Sequence, residues 1–484
     1  MNTLYLGDCL YVLRENVPDE SVDLIYIDPP FNSKRDYNIF FDSKEIQTQR
    51  VAFEDTWTLI NIQDSLSELR TLQTDKLYKL LITYQEVAPH AFPYLAMMSL
   101  RILELHRVLK STGSFYLHCD PNMSHYLKTI CDIIFDDKFF RNELIWSYKR
   151  YTAVSYRFQR LHDVILFYSK TEKSTYNDLR EEYGEKSGVA DSHYKQEVDG
   201  RWFRWQKRKG KEPYKIYLSE GKRVGDVWDI PTINASAKER LGYPTQKPKA
   251  LLERIIQASS NEGDTVLDAF CGCGTTVDVA EGLHRRWIGI DISPVAISLI
   301  KRRLMNSYGE GDETGLSKYE VRGVPTDEPS AVKLWQENPW AFQDWWLTEF
   351  EVFSTTEGTK GADRGIDGIG QYLIDKSDKT IRAAFQVKGG KVQSKDIDAL
   401  IGVLTKHKCE LGVLLTIEKP TRAMLDAAAS AGIVEFPNFK YPAIQILTLK
   451  DFFNNKRPKL PSTNITFRAA KLKGKKVHQM DLGV

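Results

Sequence analysis

Two short apolar runs in the first 300 residues have the length of buried strands, and each ends at an acidic residue. Residues 23–27 are followed directly by Asp28-Pro29-Pro30-Phe31. Residues 264–268 lead into a glycine-rich turn, after which the pattern predicts a helix over 276–282 and a strand over 286–291. Short apolar runs bounded by turn residues are typical of strands buried on both faces of a parallel sheet. The pattern therefore predicts an α/β fold of the Rossmann-like type.

A second α/β pattern follows a change in composition. Residues 309–332 are rich in Gly, Glu, Asp, Thr and Pro without an apolar period, which predicts a linker between a domain at 1–308 and a smaller domain at 333–455. The basic tail, 456–484, is expected to be a disordered arm that aids phosphate contact or a solvated terminus without a role. In the smaller domain, the aromatic spacing over 340–353 predicts a buried helix that ends near Glu349. The other predicted elements are helices over 395–406 and 421–431, and strands over 369–374, 381–390, 411–417 and 443–449.

The tetrapeptide at 28–31 indicates a binding ledge at the carboxyl edge of the sheet, where ligands sit in open α/β folds. The two prolines fix φ and carry no N–H, so the carbonyls around them remain as acceptors. A carboxylate and a proline carbonyl beside Phe31 suit a flat heterocycle with an exocyclic amine. The alternative for these four residues alone is a β-turn with a capping Asp.

The glycine turn predicts a second binding element. Gly272 and Gly274 let the backbone approach a ligand closely, and Asp291 stands about 20 residues further on, as a ribose hydroxyl pair requires. The third position of the three-glycine dinucleotide fingerprint is Thr here. Cys271 and Cys273 have no second Cys or His pair at zinc spacing nearby, so we interpret them as small turn residues.

Composition narrows the class of protein. The 484 residues predict several domains, and the six cysteines form no paired framework, as expected in a reducing compartment. The amino terminus lacks a signal peptide pattern and no apolar run approaches ~20 residues, so we expect a cytoplasmic protein of bacterial, archaeal or phage origin with no membrane partner.

Nucleic-acid affinity must come from local patches, since the formal net charge is only +2. The basic and aromatic run within the segment 170–240 is the best candidate, because cations neutralise phosphates while aromatic rings stack or wedge. Its DNA-binding candidates are Arg201, Arg204, Lys207 and Arg208. The alternative is a solvated basic hairpin. A polar, helical insert over 42–85 is predicted as a DNA-clasping loop or an oligomer contact.

Together these motifs resemble the β-class amino-methyltransferases of DNA, which carry the catalytic motif ahead of the S-adenosylmethionine motif. The resemblance covers roughly residues 1–305. It includes Gly7-Asp8-Cys9-Leu10, Tyr26-Ile27-Asp28-Pro29-Pro30-Phe31-Asn32, and the blocks at 113–120, 162–168 and 243–249.

The resemblance implies a role for each matching residue. Asp28, Pro29, Pro30 and Phe31 would hold a flipped target base, with Asn32 at the pocket floor. The residues implied for the cofactor S-adenosylmethionine are Asp268, Phe270, Gly272 and Gly274 at its methionine and ribose part, Asp291 at the ribose hydroxyls, Thr245 and Lys247 nearby, and Asp8 by the adenine.

The implied chemistry is methyl transfer to an exocyclic amine of duplex DNA. Such an amine is a poor nucleophile, and hydrogen bonds to Asp28 and the Pro29 carbonyl would favour a pyramidal nitrogen with its lone pair free. The target atom is inaccessible in the duplex, so the base must flip out, and Phe31 would replace the lost stacking. Asp at the first motif position resembles the N6-adenine enzymes, with N4-cytosine as the alternative. The Pro-Cys pair of carbon-5 cytosine enzymes does not occur in the sequence.

The smaller domain resembles the Mrr-like branch of restriction nucleases over roughly 333–450. Asp367 and the Gln386-x-Lys388 pair on adjacent strands have the order that a metal-dependent phosphodiesterase needs. Asp367 and the Val387 carbonyl would hold Mg²⁺, Lys388 would orient the water, and Glu349 would add a ligand. Most of the superfamily has an acid where Gln386 stands, although the Mrr-like branch commonly carries Gln.

The sequence therefore predicts a fused restriction–modification protein: an adenine methyltransferase joined to a Mg²⁺-dependent endonuclease. A homodimer is one option, because nucleases that cut both strands often pair two active sites. The alternative is a methyltransferase whose smaller domain is a catalytically inactive DNA clamp.

Overall fold

The fold is taken from a computed structural model. It describes residues 1–30, 37–43, 46–53, 63–71, 75–149, 156, 158–182, 195–208, 210–234, 237, 239–241, 243, 245–309, 315–354, 366–374, 380–436, 439–461 and 463–464. Side chains are not described for 37–43, 46–53, 63–65, 208, 211, 353–354 and 463–464.

The strands, in chain order, are β1 (Asn2–Leu6), β2 (Val22–Ile27), β3 (Tyr37–Ser43), β4 (Ile46–Phe53), β5 (Leu109–Cys119), β6 (Phe140–Ser147), β7 (His162–Ser169), β8 (Arg180–Glu181), β9 (Lys195–Gln196), β10 (Trp202–Arg208), β11 (Lys211–Tyr217), β12 (Lys222–Arg223), β13 (Val227–Asp229), β14 (Thr265–Asp268), β15 (Arg286–Asp291), β16 (Tyr319–Arg322), β17 (Phe353–Ser354), β18 (Gly368–Leu373), β19 (Thr380–Lys388), β20 (Leu411–Thr416), β21 (Ile433–Phe436), β22 (Phe439–Pro442), β23 (Ile444–Thr448) and β24 (Thr463–Asn464).

The α-helices are α1 (Cys9–Asn16), α2 (Gln63–Thr71), α3 (Asp75–Val87), α4 (Phe92–Val108), α5 (Ser124–Phe135), α6 (Lys249–Ser259), α7 (Thr275–Gly282), α8 (Pro294–Tyr308), α9 (Glu328–Glu337), α10 (Pro339–Thr348), α11 (Ser394–His407), α12 (Arg422–Ser430) and α13 (Leu449–Phe453). None of the helices in the described part of the chain combines the length and apolar composition that crossing a bilayer requires.

The larger domain is built on a nine-stranded sheet in the order β13-β6-β7-β5-β2-β14-β15-β1-β16. All pairings are parallel except those of β7, which runs against β5 and β6. One apolar cluster joins the sheet to α1, α4 and α5, and another joins it to α6, α7 and α8. Helices on both faces bury the central strands, which explains their uninterrupted apolar runs. The predicted α/β class and the βαβ unit of β14, α7 and β15 are confirmed.

The segment 309–332, predicted as a linker, contains regular structure. β16 pairs in parallel with β1, with Asn2 opposite Tyr319, and extends the sheet by one edge strand. Downstream, Asp327 caps α9 in a reciprocal capping box with Ser330. An edge strand tolerates charged residues such as Glu320 and Arg322, so its sequence reads as a polar loop. The domain therefore extends beyond residue 308.

The insert at 42–85 and the segment 170–240 hold more strand than their sequences suggested. β3 and β4 form an antiparallel hairpin ahead of α2 and α3, where a helical insert was expected. Within 170–240, β10 pairs with β11 and β9, and β12 pairs with β8. Of these, β8, β9 and β12 have only two residues each, which is too short to leave a readable period in the sequence.

The smaller domain has the sheet order β17-β18-β19-β20-β23, with β24 beside β18. Apolar clusters on both faces join the sheet to α9, α10 and α13 on one side and to α11 and α12 on the other. The aromatic helix ends at Thr348 with Glu349 as its C-cap, which confirms the predicted end near Glu349, and the chain turns through Glu351 (φ 54°) into β17. The β21–β22 hairpin was not predicted.

The two domains contact each other through α8 and α10. The Ser298 hydroxyl donates to the Thr348 carbonyl at 3.5 Å. Lys301 and Glu349 form an ion pair at 3.7 Å, and Arg302 and Glu351 form another at 3.7 Å. The smaller domain thus rests on the helix that follows Asp291.

Candidate functional site

Four adjacent strands of the larger sheet end in acids at one edge. In sheet order β2, β14, β15 and β1, they lead to Asp28, Asp268, Asp291 and Asp8. Neighbouring strands lie about 4.8 Å apart, so these carboxylates share one site. A cavity of about 300 Å³ is lined by all four acids. This brings together the two motifs that the sequence placed more than 200 residues apart.

The Asp28-Pro29-Pro30 ledge forms one wall of this cavity. The Asp28 side chain is 15% exposed and its Oδ2 accepts a hydrogen bond from Lys247 Nζ. Its Oδ1 is buried and has no hydrogen-bond partner among the described residues. A buried acceptor without a donor is costly unless a ligand satisfies it. Phe31 and Asn32, predicted for stacking and the pocket floor, lie outside the described residues.

A hydrogen-bonded chain behind the ledge was not predicted. The Tyr26 hydroxyl lies 2.9 Å from His118 Nδ1, and His118 Nε2 lies 3.2 Å from Asp163 Oδ2. The Tyr148 hydroxyl donates to Asp163 Oδ1 at 3.1 Å. Burial acts most strongly and would raise the pKa of Asp163, but the hydrogen bond and charge of His118, the charge of Lys247 and the Tyr148 hydrogen bond together leave that pKa below its ordinary value. The His and Asp stand in blocks that the family likeness covers, which is the signal that could have found them.

The glycine turn fits closely against its surroundings. Gly274 precedes α7 with φ +73°, and an added Cβ would lie 2.6 Å from Ile300 Cγ1. Gly272 has φ +49°, and its Cβ would lie 3.2 Å from the Tyr243 ring. These positive φ values favour glycine, as the sequence suggested. All six cysteines are buried and unpaired, including Cys271 and Cys273 in this turn.

Two acids of the cavity, the buried Asp268 and the half-buried Asp291, are held by the turn itself. Asp268 accepts hydrogen bonds from the Thr276 hydroxyl at 2.6 Å and the Phe270 amide at 3.0 Å. Asp291 accepts from the amides of Gly272 and Ser293, both at 2.8 Å. Burial raises the pKa of Asp268 to about 7 and that of Asp291 to about 6, although these hydrogen bonds act to lower both. The site therefore favours a cationic ligand that would compensate the buried carboxylates.

Asp8, Thr245, Lys247 and Phe270 also line the cavity, whereas Gly274, predicted at the cofactor, is not among the lining residues and packs against Ile300. Asp8 caps α1 through the Leu10 amide at 2.8 Å and forms an ion pair with Arg101 at 2.6 Å. Arg101, on α4, was missed because its sequence context is an ordinary helix. Thr245 adopts φ +63° at the cavity wall. Lys247 also lines the cavity, but its ammonium group lies on the Asp28 carboxylate.

The predicted DNA-binding run lies on β10 and the residue before it. Arg201 pairs with Asp199 at 2.7 Å and stacks over the Tyr217 ring at 4.5 Å. Arg204 is half-buried and Lys207 is exposed, whereas the side chain of Arg208 is not described.

Aromatic side chains on the same strand are exposed to solvent. From the sequence, none of them was named individually as a DNA contact. Trp202 and Trp205 are 43% and 53% exposed, while Phe203 between them is buried. Because these tryptophans are three positions apart on β10, their indole rings lie on opposite faces of the strand, and Trp205 shares a face with Phe203, whose ring centroid lies 5.9 Å from its own.

The smaller domain brings three of its four predicted residues together. Asp367 Oδ2 accepts the Val387 amide at 2.7 Å, which places it beside the strand that carries Gln386 and Lys388. Gln386 Oε1 is buried without a hydrogen-bond partner among the described residues. Glu349 instead forms its ion pair with Lys301 of α8.

The described residues offer little to a metal ion. Nowhere in the described ranges do three or more His, Cys, Asp or Glu side chains cluster as a metal site. Within the described ranges the carboxylate seen beside Val387 is that of Asp367, and Mg²⁺ in proteins is bound through carboxylates together with water or phosphate. The predicted Mg²⁺ site is therefore not supported.

Comparisons with known proteins match both parts of the chain. Residues 22–302 match the DNA methylase family of N6 and N4 methyltransferases. Residues 342–452 match a family described as NACHT-associated inactive restriction endonuclease 1. The second match agrees with the predicted endonuclease-like fold of the smaller domain, but it differs from the Mrr-like branch and is described as inactive.

The alignments with individual relatives span most of each relative's length. DNA adenine methyltransferase YhdJ of Escherichia coli (strain K12) is 30% identical over 308 residues, which cover 62% of this chain and 82% of YhdJ. The type II methyltransferase M.HpaI of Haemophilus parainfluenzae is 27% identical over 304 residues, 62% of this chain and 73% of M.HpaI. The crystal structure of the M1.HpyAVI–SAM complex aligns with a TM-score of 0.33 and 18% identity, over 63% of this chain and 99% of that chain.

Proposed function

The chain belongs to the N6/N4 DNA methylase family, and on that premise we propose that it transfers a methyl group from S-adenosylmethionine to the exocyclic N6 of adenine in duplex DNA. The observation that carries the proposal is the buried Asp28 Oδ1, which lacks a donor among the described residues and lies in the acid-lined cavity. An exocyclic amine is the donor that this acceptor suits.

The residues of the cavity fit the cofactor. Gly272 brings bare backbone to the cavity wall, and Asp268 and Asp291, which also line it, are acids whose charge calls for a cation. Asp291 keeps a second lone pair on each oxygen beyond its two amide donors, and these can accept ribose hydroxyls. When bound, S-adenosylmethionine supplies a sulfonium methyl group that is already electrophilic.

The chain's own residues then position the amine. One amine hydrogen donates to Asp28 Oδ1 and the other to the Pro29 carbonyl, which leaves the nitrogen lone pair out of conjugation with the ring. Pro29 and Pro30 carry no N–H, so the backbone ladder of β2 cannot continue through them. The Pro29 carbonyl can therefore serve the ligand as an acceptor. The work of the site is orientation, which alone accounts for large rate effects when the reacting atoms are aligned.

Adenine rather than cytosine is favoured by the Asp at the first motif position. The relative YhdJ, which shares 30% identity, is a DNA adenine methyltransferase, and this supports the assignment. N4-cytosine is the competing target. Phe31, as the stacking partner of the flipped base, and Arg201, Arg204, Lys207 and Arg208, as phosphate contacts, remain part of the proposal.

Tritium from labelled S-adenosylmethionine should enter duplex DNA with the wild-type protein and not with Asp28→Ala. Single-molecule sequencing of DNA from expressing cells then identifies the modified base and its sequence context. N6-methyladenine at one motif supports the proposal. N4-methylcytosine, or no transfer to any duplex, overturns it.

For the smaller domain we favour the alternative of a DNA-binding module that does not cleave. Glu349 is engaged with Lys301, and one carboxylate, Asp367, remains beside Gln386 and Lys388 among the described residues. Incubation of plasmid with Mg²⁺, with and without S-adenosylmethionine, decides the question. Cleavage by the wild type that Asp367→Ala abolishes would restore the endonuclease. Methylation without cleavage, equal in both proteins, supports the inactive module.

A further inference from the structure

Lys247 connects the two halves of the cavity. Its Nζ bonds Asp28 Oδ2 across 219 residues of sequence, and the two side chains are only 10% and 15% exposed. Family likeness placed this lysine with the cofactor. Its ammonium group instead lies on the carboxylate proposed to receive the target amine.

The two oxygens of the Asp28 carboxylate have different surroundings. Lys247 occupies Oδ2, and Oδ1 remains the buried oxygen without a donor among the described residues. A carboxylate whose one oxygen is fixed by a charged donor cannot rotate freely about χ2, so the position of the other oxygen is set as well. Orientation of the acceptor is what an amine with two directed hydrogens requires.

The backbone of Lys247 is itself anchored to the glycine turn. Its carbonyl accepts the Thr275 hydroxyl at 3.3 Å, and Thr275 Oγ1 also accepts Arg303 Nη1 at 3.0 Å. Thr275 and Arg303 are both buried. The lysine is therefore held by the start of α7 and reaches from there to the ledge.

The charges of the cavity agree with this arrangement. A lone ammonium group would repel a sulfonium nearby, whereas the Lys247–Asp28 pair is neutral as a unit. Asp8 is likewise neutralised by Arg101. Asp268 and Asp291 remain as carboxylates bonded only to neutral donors in the described structure, and these are the groups suited to the cationic cofactor.

We infer that Lys247 is a positioning residue for the target amine: it acts through Asp28, by fixing the carboxylate so that Oδ1 faces the amine, and not as a ligand of the cofactor. The inference rests on the proposed function. It predicts a separation between transfer rate and cofactor affinity that no purely structural role would produce.

The test uses the full-length protein with Lys247→Met, Lys247→Arg, Asp28→Asn and the double variant Asp28→Asn/Lys247→Met. Lys333→Met, an exposed lysine on α9 (73%), is the matched control. Dissociation constants for S-adenosylmethionine come from calorimetry, and kcat comes from methylation at saturating cofactor. We expect Lys247→Met to lower kcat about 100-fold with the cofactor Kd changed less than about threefold, the scale of a misplaced reacting group. Lys247→Arg should recover part of the rate.

The double variant identifies the route of the effect. If Lys247 acts through Asp28, its removal costs nothing further once Asp28 is Asn, so the double variant should match Asp28→Asn. It also removes both buried charges, which keeps the comparison valid if Lys247→Met folds poorly. A rise in cofactor Kd of about 100-fold with kcat retained, or losses that multiply in the double variant, would overturn the inference. If the wild type and Lys333→Met transfer no methyl group, the proposed function itself has failed.

Discussion

The pH dependence of cofactor binding tests the electrostatic account of the cavity. Asp268 is 3% exposed, and burial raises its pKa to about 7 from an ordinary value of 3.8. The carboxyl is therefore largely protonated below that pH in the free protein. A cationic cofactor favours the ionised form, so binding should release a proton and tighten as the pH rises.

The magnitude follows from the fraction of Asp268 that is ionised. With a pKa of about 7, roughly 3% is ionised near pH 5.5 and roughly 90% near pH 8, so the affinity should rise about 30-fold across that range. The folding stability of the free protein depends on pH in the opposite direction. The folded state holds this proton above the pKa of the unfolded chain, so stability is greatest below about pH 3.8 and falls as the pH rises to about 7, by up to about 4 kcal/mol.

Calorimetry in buffers of different ionisation enthalpy measures both the Kd and the protons released. Asp268 should contribute close to one released proton per cofactor near pH 5.5, and its contribution should fall toward zero near pH 8. Asp268→Asn is the matched control. It removes the step near pH 7 and leaves the weaker dependence of Asp291, whose pKa burial raises to about 6. A wild-type Kd that stays constant over this range, or an unchanged pH profile in Asp268→Asn, would refute the reasoning.

Three further substitutions test other parts of the fold. Gly274→Ala should lower the free energy of unfolding by about 2–4 kcal/mol in denaturant titration, because it adds left-handed strain and a 2.6 Å contact with Ile300; measured against Ile300→Ala as the reference protein, the same substitution should cost less, by the part due to that contact. His118→Ala should lower it by about 2–3 kcal/mol, because the Tyr26 hydroxyl and Asp163 lose their buried partner; an unchanged melting curve would argue against that chain. Trp205→Ala should weaken binding to a DNA duplex by about 1–3 kcal/mol in fluorescence anisotropy, with unfolding altered by less than about 0.5 kcal/mol, and equal DNA affinity would exclude this indole from the interface.

Local sequence was sufficient to locate the ends of the central strands. Asp28, Asp268 and Asp291 each follow a short apolar run, and a strand's carboxyl end is a local property that needs no knowledge of its neighbours. Gly272 and Gly274 were likewise predictable, since a strand-to-helix turn of this length needs positive φ. The α/β class followed from the same signals.

Charged and short elements were not predictable in the same way. β16 carries alternating charges because it lies at the sheet edge, and only its pairing with β1 reveals it as a strand. Phe353 belongs to the aromatic spacing of the preceding helix, which was expected to end near Glu349, and only its pairing with Ile369 of β18 reveals it as part of a strand. In both cases a tertiary contact overrides the local pattern.

The sequence by itself determined which residue types stand at the ends of the central strands. The tertiary structure alone decided which charges form pairs. At the carboxyl edge of the larger sheet Lys247 pairs with Asp28 and Arg101 with Asp8, and at the contact between the domains Glu349 pairs with Lys301 instead of standing beside Asp367. The physical reason is that a strand ending or a turn is set by the torsions of a few consecutive residues, whereas an ion pair depends on the fold that brings distant segments within a few ångströms. For this reason the sequence resemblance placed Lys247 near the cofactor, whereas the fold places its ammonium group on Asp28.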